Sequence, residues 1–253
     1  EIQFGDWSSD VCSSDLTMMN VICGAIQPEQ GEILFQGETI GQMTPDLAKS
    51  LGIAISFQHP AVLEDLSVLE NLQVALPASV FETTTPQQML DAVGLTVPLK
   101  ARTDTLSVAE KHLLEIAKAL AIRPKALILD EPTAPLDQDA TDMLFGRIRE
   151  VVKKGTAVIY ITHRLAEIRQ IAQRVSVMRD GKCRGSSLVS DVSDEDLVSL
   201  IVGRSLGMAF PPKHPETGGE VILSVKNLSG KGFKDISFDC ARGQIIGVAG
   251  VAG

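Results

Sequence analysis

Two adjacent carboxylates, Asp130 and Glu131, close an uninterrupted apolar run, Ala126 to Leu129, within the segment ALILDEPTAPLD. Consecutive apolar residues suit a strand covered on both faces. Acids at the carboxyl end of such a strand lie where open α/β sheets bind ligands. Two neighbouring carboxylates can divide labour there, Asp130 toward a metal and Glu131 toward an attacking water. Alone, the segment marks a nucleoside-triphosphatase candidate, and a buried strand ending in a solvated acidic turn fits it equally well. Upstream, LSVAEKHLLEIAKAL runs from Leu106 to Leu120. Ser107 and Glu110 have the S-x-x-E spacing of a capping box. A helix N-terminus with free amides is also an anion site, so capping and ligand binding are compatible. His163, taken singly, reads as an ordinary polar residue after a strand.

Positioning these residues requires strands that end beside them. Gly52 to Phe57 is an apolar strand ending at Gln58, Ala126 to Leu129 is a buried strand, and Ala157 to Ile161 is another, just before His163. Between them the pattern is helical: Val62 to Pro98, with breaks at Pro77, Pro86 and Gly94, then a helix opened by Ser107 in which Leu113, Ile116, Ala117 and Leu120 recur at helical spacing. Asp137 to Lys154 is amphipathic and stops at Gly155. Thr17 to Ile26 is expected to be helical, Pro45 to Ser50 a short helix, and Ser193 the cap of a helix reaching Val202. Hairpins are expected around Gly37 and around Asp180-Gly181. Strands alternating with helices imply an α/β fold with a largely parallel sheet. Phe210 to Gly219, FPPKHPETGG, reads as a linker, followed by new strands over Val221–Leu228, Phe233–Asp239 and Gln244–Val248.

Composition narrows the function classes. The 253 residues are 44% hydrophobic and 22% charged, an ordinary globular balance. No apolar run reaches the roughly 18 residues of a membrane span. Lys plus Arg number 23 against 32 Asp plus Glu, a net charge of −9, which disfavours nucleic acid or anionic lipid as the main partner. Cys12, Cys23, Cys183 and Cys240 are scattered without metal-ligand spacing, against a zinc site or a disulfide framework. Residues 6–16 read DWSSDVCSSDL, the string that a common sequencing-library adapter yields on translation. Residues 1–16 are therefore expected to be non-native; they carry Glu1, Asp6, Asp10 and Asp15 with no base, and Trp7, the single tryptophan.

Together these segments resemble the ATP-binding cassette ATPases. In chain order they offer a Q-loop at Gln58, a signature Leu106-Ser107-Val108-Ala109-Glu110, a Walker B strand Leu127 to Glu131, a D-loop Pro135-Leu136-Asp137 and a switch histidine, His163. LSVAE followed by LLEIAKAL, ITHRLAEI, LVSLIVGR and the tail KDISFDCARGQIIGVAGVAG look like the tandem-cassette ATPases of bacterial monosaccharide importers, of the ribose, galactose and xylose type. The resemblance runs from Thr17 to Gly253. It implies a P-loop α/β cassette with a parallel core sheet, an antiparallel β subdomain and a helical subdomain at about residues 60–122. A first cassette would occupy 17–206, a linker 207–219, and the opening of a second cassette 220–253. It further implies ATP and Mg2+ as ligands. Asp130 and Gln58 would serve the metal, Glu131 would act as general base, and His163 would bind the γ-phosphate. Thr17, Gln58, Ser107, Val108, Ala109, Glu110 and Asp137 would line the nucleotide. Partners would be membrane permease subunits, a periplasmic sugar-binding protein indirectly, and the second cassette, with no nucleic acid. The location implied is peripheral, at the cytoplasmic face of the bacterial inner membrane. Alternatives are a soluble tandem-cassette ATPase on ribosomes or DNA, or a non-catalytic regulatory cassette. The first would want a basic arm where Phe210–Gly219 has one Lys and one Glu; the second fits poorly with intact carboxylates and His163.

The chain departs from the pattern at four places. The glycine-rich phosphate loop and its lysine should directly precede Thr17, where DVCSSDL stands instead. Gly247 to Gly253 looks like the opening of a second phosphate loop. The chain as it stands is therefore expected to be a fragment lacking the first strands and phosphate loop, exposed to aggregation and inactive in hydrolysis, unlike its full-length gene product. Glu110 stands in place of the usual glutamine, with a turned-away capping role or a weaker site as the expected consequence. Pro135 stiffens the D-loop by fixing φ.

Overall fold

The computed structural model describes residues 13–202, 220–230 and 233–242. Two compact units divide at residues 203 and 204. The first is organised on three parallel strands, β3 (Ile53–Ser56), β4 (Ala126–Asp130) and β5 (Ala157–Ile161), hydrogen-bonded in that order. Ile53 pairs with Ala126, and Asp130 pairs with Ile161 at the far end. Leu127, Ile128 and Leu129 are wholly buried, which is why the run carries no polar alternation.

The connection from β3 to β4 is helical: α3 (Val68–Ala75), α4 (Ala78–Thr83), α5 (Pro86–Asp91) and α6 (Val108–Ala121). Pro77 precedes α4, Pro86 opens α5, and Gly94 at φ +70° ends the turn after it, as the breakers predict. The first of these helices starts at Val68, six residues later than the pattern suggested, because Ser67 caps it in a reciprocal box with Glu70. Leu72, Leu90, Leu114 and Ile116 join Leu127 and Leu129 in one apolar cluster that binds the helices to the sheet. The connection from β4 to β5 is α7 (Gln138–Lys153), burying Leu144, Phe145 and Ile148.

A smaller cluster lies under α1 (Ser13–Ile22), the hairpin β1 (Ile33–Phe35)–β2 (Glu38–Ile40) and α2 (Pro45–Leu51), where Met19, Met43, Ala48, Ile53 and Ile128 are buried. The first helix ends at Ile22, not Ile26. Gly24 takes φ +76°, and a Cβ there would come within 2.5 Å of the Thr44 backbone, so only glycine fits the turn. After β5 come α8 (Leu165–Ile171), a helix that the sequence pattern did not single out, the hairpin β6 (Arg174–Arg179)–β7 (Lys182–Leu188), and α9 (Asp194–Val202). The second unit holds the antiparallel pair β8 (Val221–Gly230) and β9 (Phe233–Ala241). The expected linker at 207–219 and strand at Gln244–Val248, and residues 1–12, lie outside the described residues. Among the described residues no helix is long and apolar enough to cross a membrane.

Candidate active site

The parallel register brings three chain segments to one end of the sheet. Asp130 is the last residue of β4, Gln58 stands two residues beyond β3, and His163 two beyond β5. The Gln58 and His163 side chains converge on Glu131. His163 Nδ1 lies 2.7 Å from Glu131 Oε1, and Gln58 Nε2 reaches Glu131 Oε2 at 3.5 Å. Glu131 itself sits at φ +44°, a left-handed conformation that costs an acidic residue about 1–2 kcal/mol. It is pinned there because its N–H donates to Ile161 of β5 at 3.0 Å while its carbonyl accepts from Ala134. The strained turn lifts the carboxylate off the strand axis toward His163. Asp130, in contrast, is 5% exposed.

The other expected ligand residues lie elsewhere. Ser107 is the N-cap of α6. Its N–H and hydroxyl both reach Glu110 Oε2, at 2.7 and 2.8 Å, and its Oγ accepts from the Glu110 N–H at 3.2 Å. The Glu110 carboxylate is thus turned back onto its own cap. Val108 is exposed and Ala109 half-buried on the same first turn. Asp137 caps α7, its Oδ1 accepting from the Ala140 N–H at 2.8 Å. Thr17 is exposed on α1. No hydrogen bond or ion pair among the described residues joins Ser107, Glu110 or Asp137 to Glu131.

Behind the converged residues lies a buried polar cluster that sequence reasoning missed. Glu167 of α8 is 6% exposed, and its carboxylate accepts from Thr133, Tyr160, Thr162 and Arg164. Burial raises the Glu167 pKa, but the hydrogen bonds from Thr133, Thr162 and Tyr160, with the Arg164 charge, outweigh it and leave it below the usual carboxylate range. Burial pushes the Tyr160 phenol up, so it stays protonated and can donate. The signal available was the stretch LAEI, with Leu165 and Ile168 at helical spacing and one acid four residues after His163. A second clamp holds the chain beyond Gln58: Lys118 of α6, ion-paired with Glu115, donates to the Ala61 carbonyl at 2.6 Å.

A family model described as ABC transporter matches residues 16–134. Among curated proteins, the chain is 38% identical over 246 residues to a ribose import ATP-binding protein, RbsA 2, of Rhizobium meliloti (strain 1021), covering 94% of this chain and 48% of that protein. It is 37% identical to the D-allose import ATP-binding protein AlsA of Escherichia coli (strain K12), covering 94% and 50% respectively. The chain thus spans about half the length of the curated relatives it matches. Among solved structures, the ATP-binding cassette MJ0796, a dimer in a post-hydrolysis state bound to ADP and Pi, superposes with a TM-score of 0.60 at 20% identity, over 69% of this chain and 80% of that one. That likeness concerns the fold.

Proposed function

We propose that the chain, whose residues 16–134 match the ABC transporter family, is part of an ATP-hydrolysing subunit that energises monosaccharide import through a membrane permease. The observation that carries the hydrolytic reading is the convergence of Gln58 and His163 on Glu131 at the end of three adjacent parallel strands. The sugar reading is supported by the relatives, whose names specify ribose and D-allose import. In this reading residues 17–206 form the first cassette, 207–219 the linker, and 220–253 the opening of a second cassette. A periplasmic sugar-binding protein acts through the permease, and the cassettes sit at the cytoplasmic face of the inner membrane.

Each residue at the site has a role that its chemistry allows. Glu131, lifted from the strand and beside His163, accepts the proton of the attacking water. His163 holds the γ-phosphate and the position of that water. Ser107 and the amides of Val108 and Ala109 offer a helix N-terminus to phosphate, the Glu110 N–H being held by the Ser107 cap, and Asp137 fixes the turn between β4 and α7. Mg2+ takes oxygen ligands and is satisfied by one or two protein groups plus phosphates and waters. A buried carboxylate, Asp130, with the Gln58 amide oxygen and the Thr17 hydroxyl, is a donor set of that kind. The metal would supply charge neutralisation of the phosphates.

The phosphate cradle itself does not fit. Residues 1–16 contain no lysine and only Gly5 as glycine. A charge-assisted hydrogen bond contributes about 1.5–3 kcal/mol, and about 4 kcal/mol separates micromolar from millimolar affinity. The lysine and several amide donors together outweigh that difference, so this polypeptide is expected not to hydrolyse ATP measurably. The test compares the chain as it stands with a version in which a strand and a glycine-rich, lysine-bearing loop directly precede Thr17. The second should turn over ATP with Mg2+ and lose about a hundredfold or more on Glu131→Gln. Turnover insensitive to that change would overturn the assignment of Glu131. Co-purification from bacterial membranes with a polytopic permease supports the importer reading; co-sedimentation with ribosomes would replace it.

A further inference from the structure

Glu167 has no part in the chemistry above, yet its carboxylate collects more hydrogen bonds than that of Glu131. Thr133 Oγ1 donates to its Oε1 at 2.7 Å, Tyr160 Oη and Thr162 Oγ1 each donate to its Oε2 at 2.9 Å, and Arg164 Nη1 approaches Oε1 at 3.4 Å. Thr162 Oγ1 in turn accepts from the Arg164 N–H at 3.0 Å, fixing the backbone on the far side of His163. An ionised carboxylate only accepts, so all these hydroxyls are oriented the same way. Thr133 lies two residues after Glu131, and Thr162 immediately precedes His163. The two loops that carry the Glu131–His163 contact are thus tied to one buried side chain from a third element.

We infer that Glu167 is the positioning residue for the Glu131–His163 pair, its carboxylate setting the separation and orientation of the two loops. The inference rests on the catalytic reading of that pair for its meaning, but its geometry does not depend on nucleotide. The Glu167 anchor is reached by hydroxyls from both loops, so losing either hydroxyl should be felt at the other loop. Ordinary packing of α8 would produce no such cross-talk.

The experiment uses the full 253-residue chain without nucleotide. Amide exchange is followed over residues 131–137 and 162–164, and the His163 ring nitrogens by long-range 1H–15N spectra assigned with His163→Gln. Glu167→Gln is expected to accelerate exchange in both loops by about tenfold or more and to change the His163 Nδ1 signal, with α3 to α6 unchanged. Thr133→Val, which keeps shape and removes the hydroxyl, should change the same His163 signal, whereas Thr133→Ser should restore it. These threonine variants carry the test if Glu167→Gln fails to fold. An unaltered His163 signal in Thr133→Val, or exchange raised uniformly through the first unit, would overturn the inference. Absence of ATP turnover in the loop-restored chain would count against the catalytic reading alone, leaving the tether intact.

Discussion

At the scale of single residues, the site is governed by two carboxylates in opposite circumstances. Glu131 is held in a left-handed turn with only the His163 and Gln58 side chains, among the described residues, against its carboxylate; Glu167 is buried and saturated with donors. The second has a consequence for pH. The folded-state pKa of Glu167 lies below its ordinary value, so its stabilising contribution is complete above the ordinary value. It is lost as pH falls through the lower, folded-state value. The urea midpoint is therefore expected to hold steady above the ordinary carboxylate range and to drop as the solution is made more acidic than that range, and part of that drop should vanish in Glu167→Gln. An identical pH profile for the two proteins would remove Glu167 from the acid response. Cysteine reactivity offers a separate check, because burial pushes the Cys23 thiol up to about 11 while Cys183 is exposed. Iodoacetamide at mildly alkaline pH should label Cys183 well before Cys23, as read by peptide mass.

At the scale of elements, the helix termini hold what local spacing can encode. Ser107, Glu110, Ser67, Glu70, Thr85 and Gln88 form three reciprocal capping boxes, each complete within four residues of chain. Ser107→Ala is expected to destabilise the first unit by about 1 kcal/mol, measured by denaturant unfolding. Glu110→Gln preserves the reciprocal bond and should cost less than about 0.5 kcal/mol. A larger loss would mean that the carboxylate charge at the start of α6 matters beyond the cap. The start of α3 is set by the Ser67 cap together with a contact elsewhere in the chain, and the end of α1 by such a contact alone. Val68 N–H donates to Ala101, and the Gly24 turn lies against Thr44. The short helix α8 escaped notice for lack of length, its seven residues giving periodicity little to act on.

For the molecule as a whole, the parallel sheet is unevenly covered. Among the described residues β5 pairs only with β4, and Ile159 on it is 38% exposed. An apolar edge with no charged residue in Ala157–Ile161 invites pairing with other chains. Concentration-dependent self-association is expected in sedimentation, and Ile159→Lys should reduce it. A monodisperse monomer at all concentrations would show that this edge is protected. What the amino-acid sequence determined by itself was the order of the parallel strands and the helices between them, the Ser107–Glu110 capping box, the buried nature of Leu127–Leu129 and the presence of acids at their end. Each of these depends on neighbours a few residues apart, where spacing alone specifies the contact. Only the tertiary structure decided that Glu131 faces His163 and that Glu167 binds hydroxyls from two loops. The Glu131 and Glu167 contacts span 32 and 34 residues and follow from the register of β4 with β5, which sets where loop residues meet.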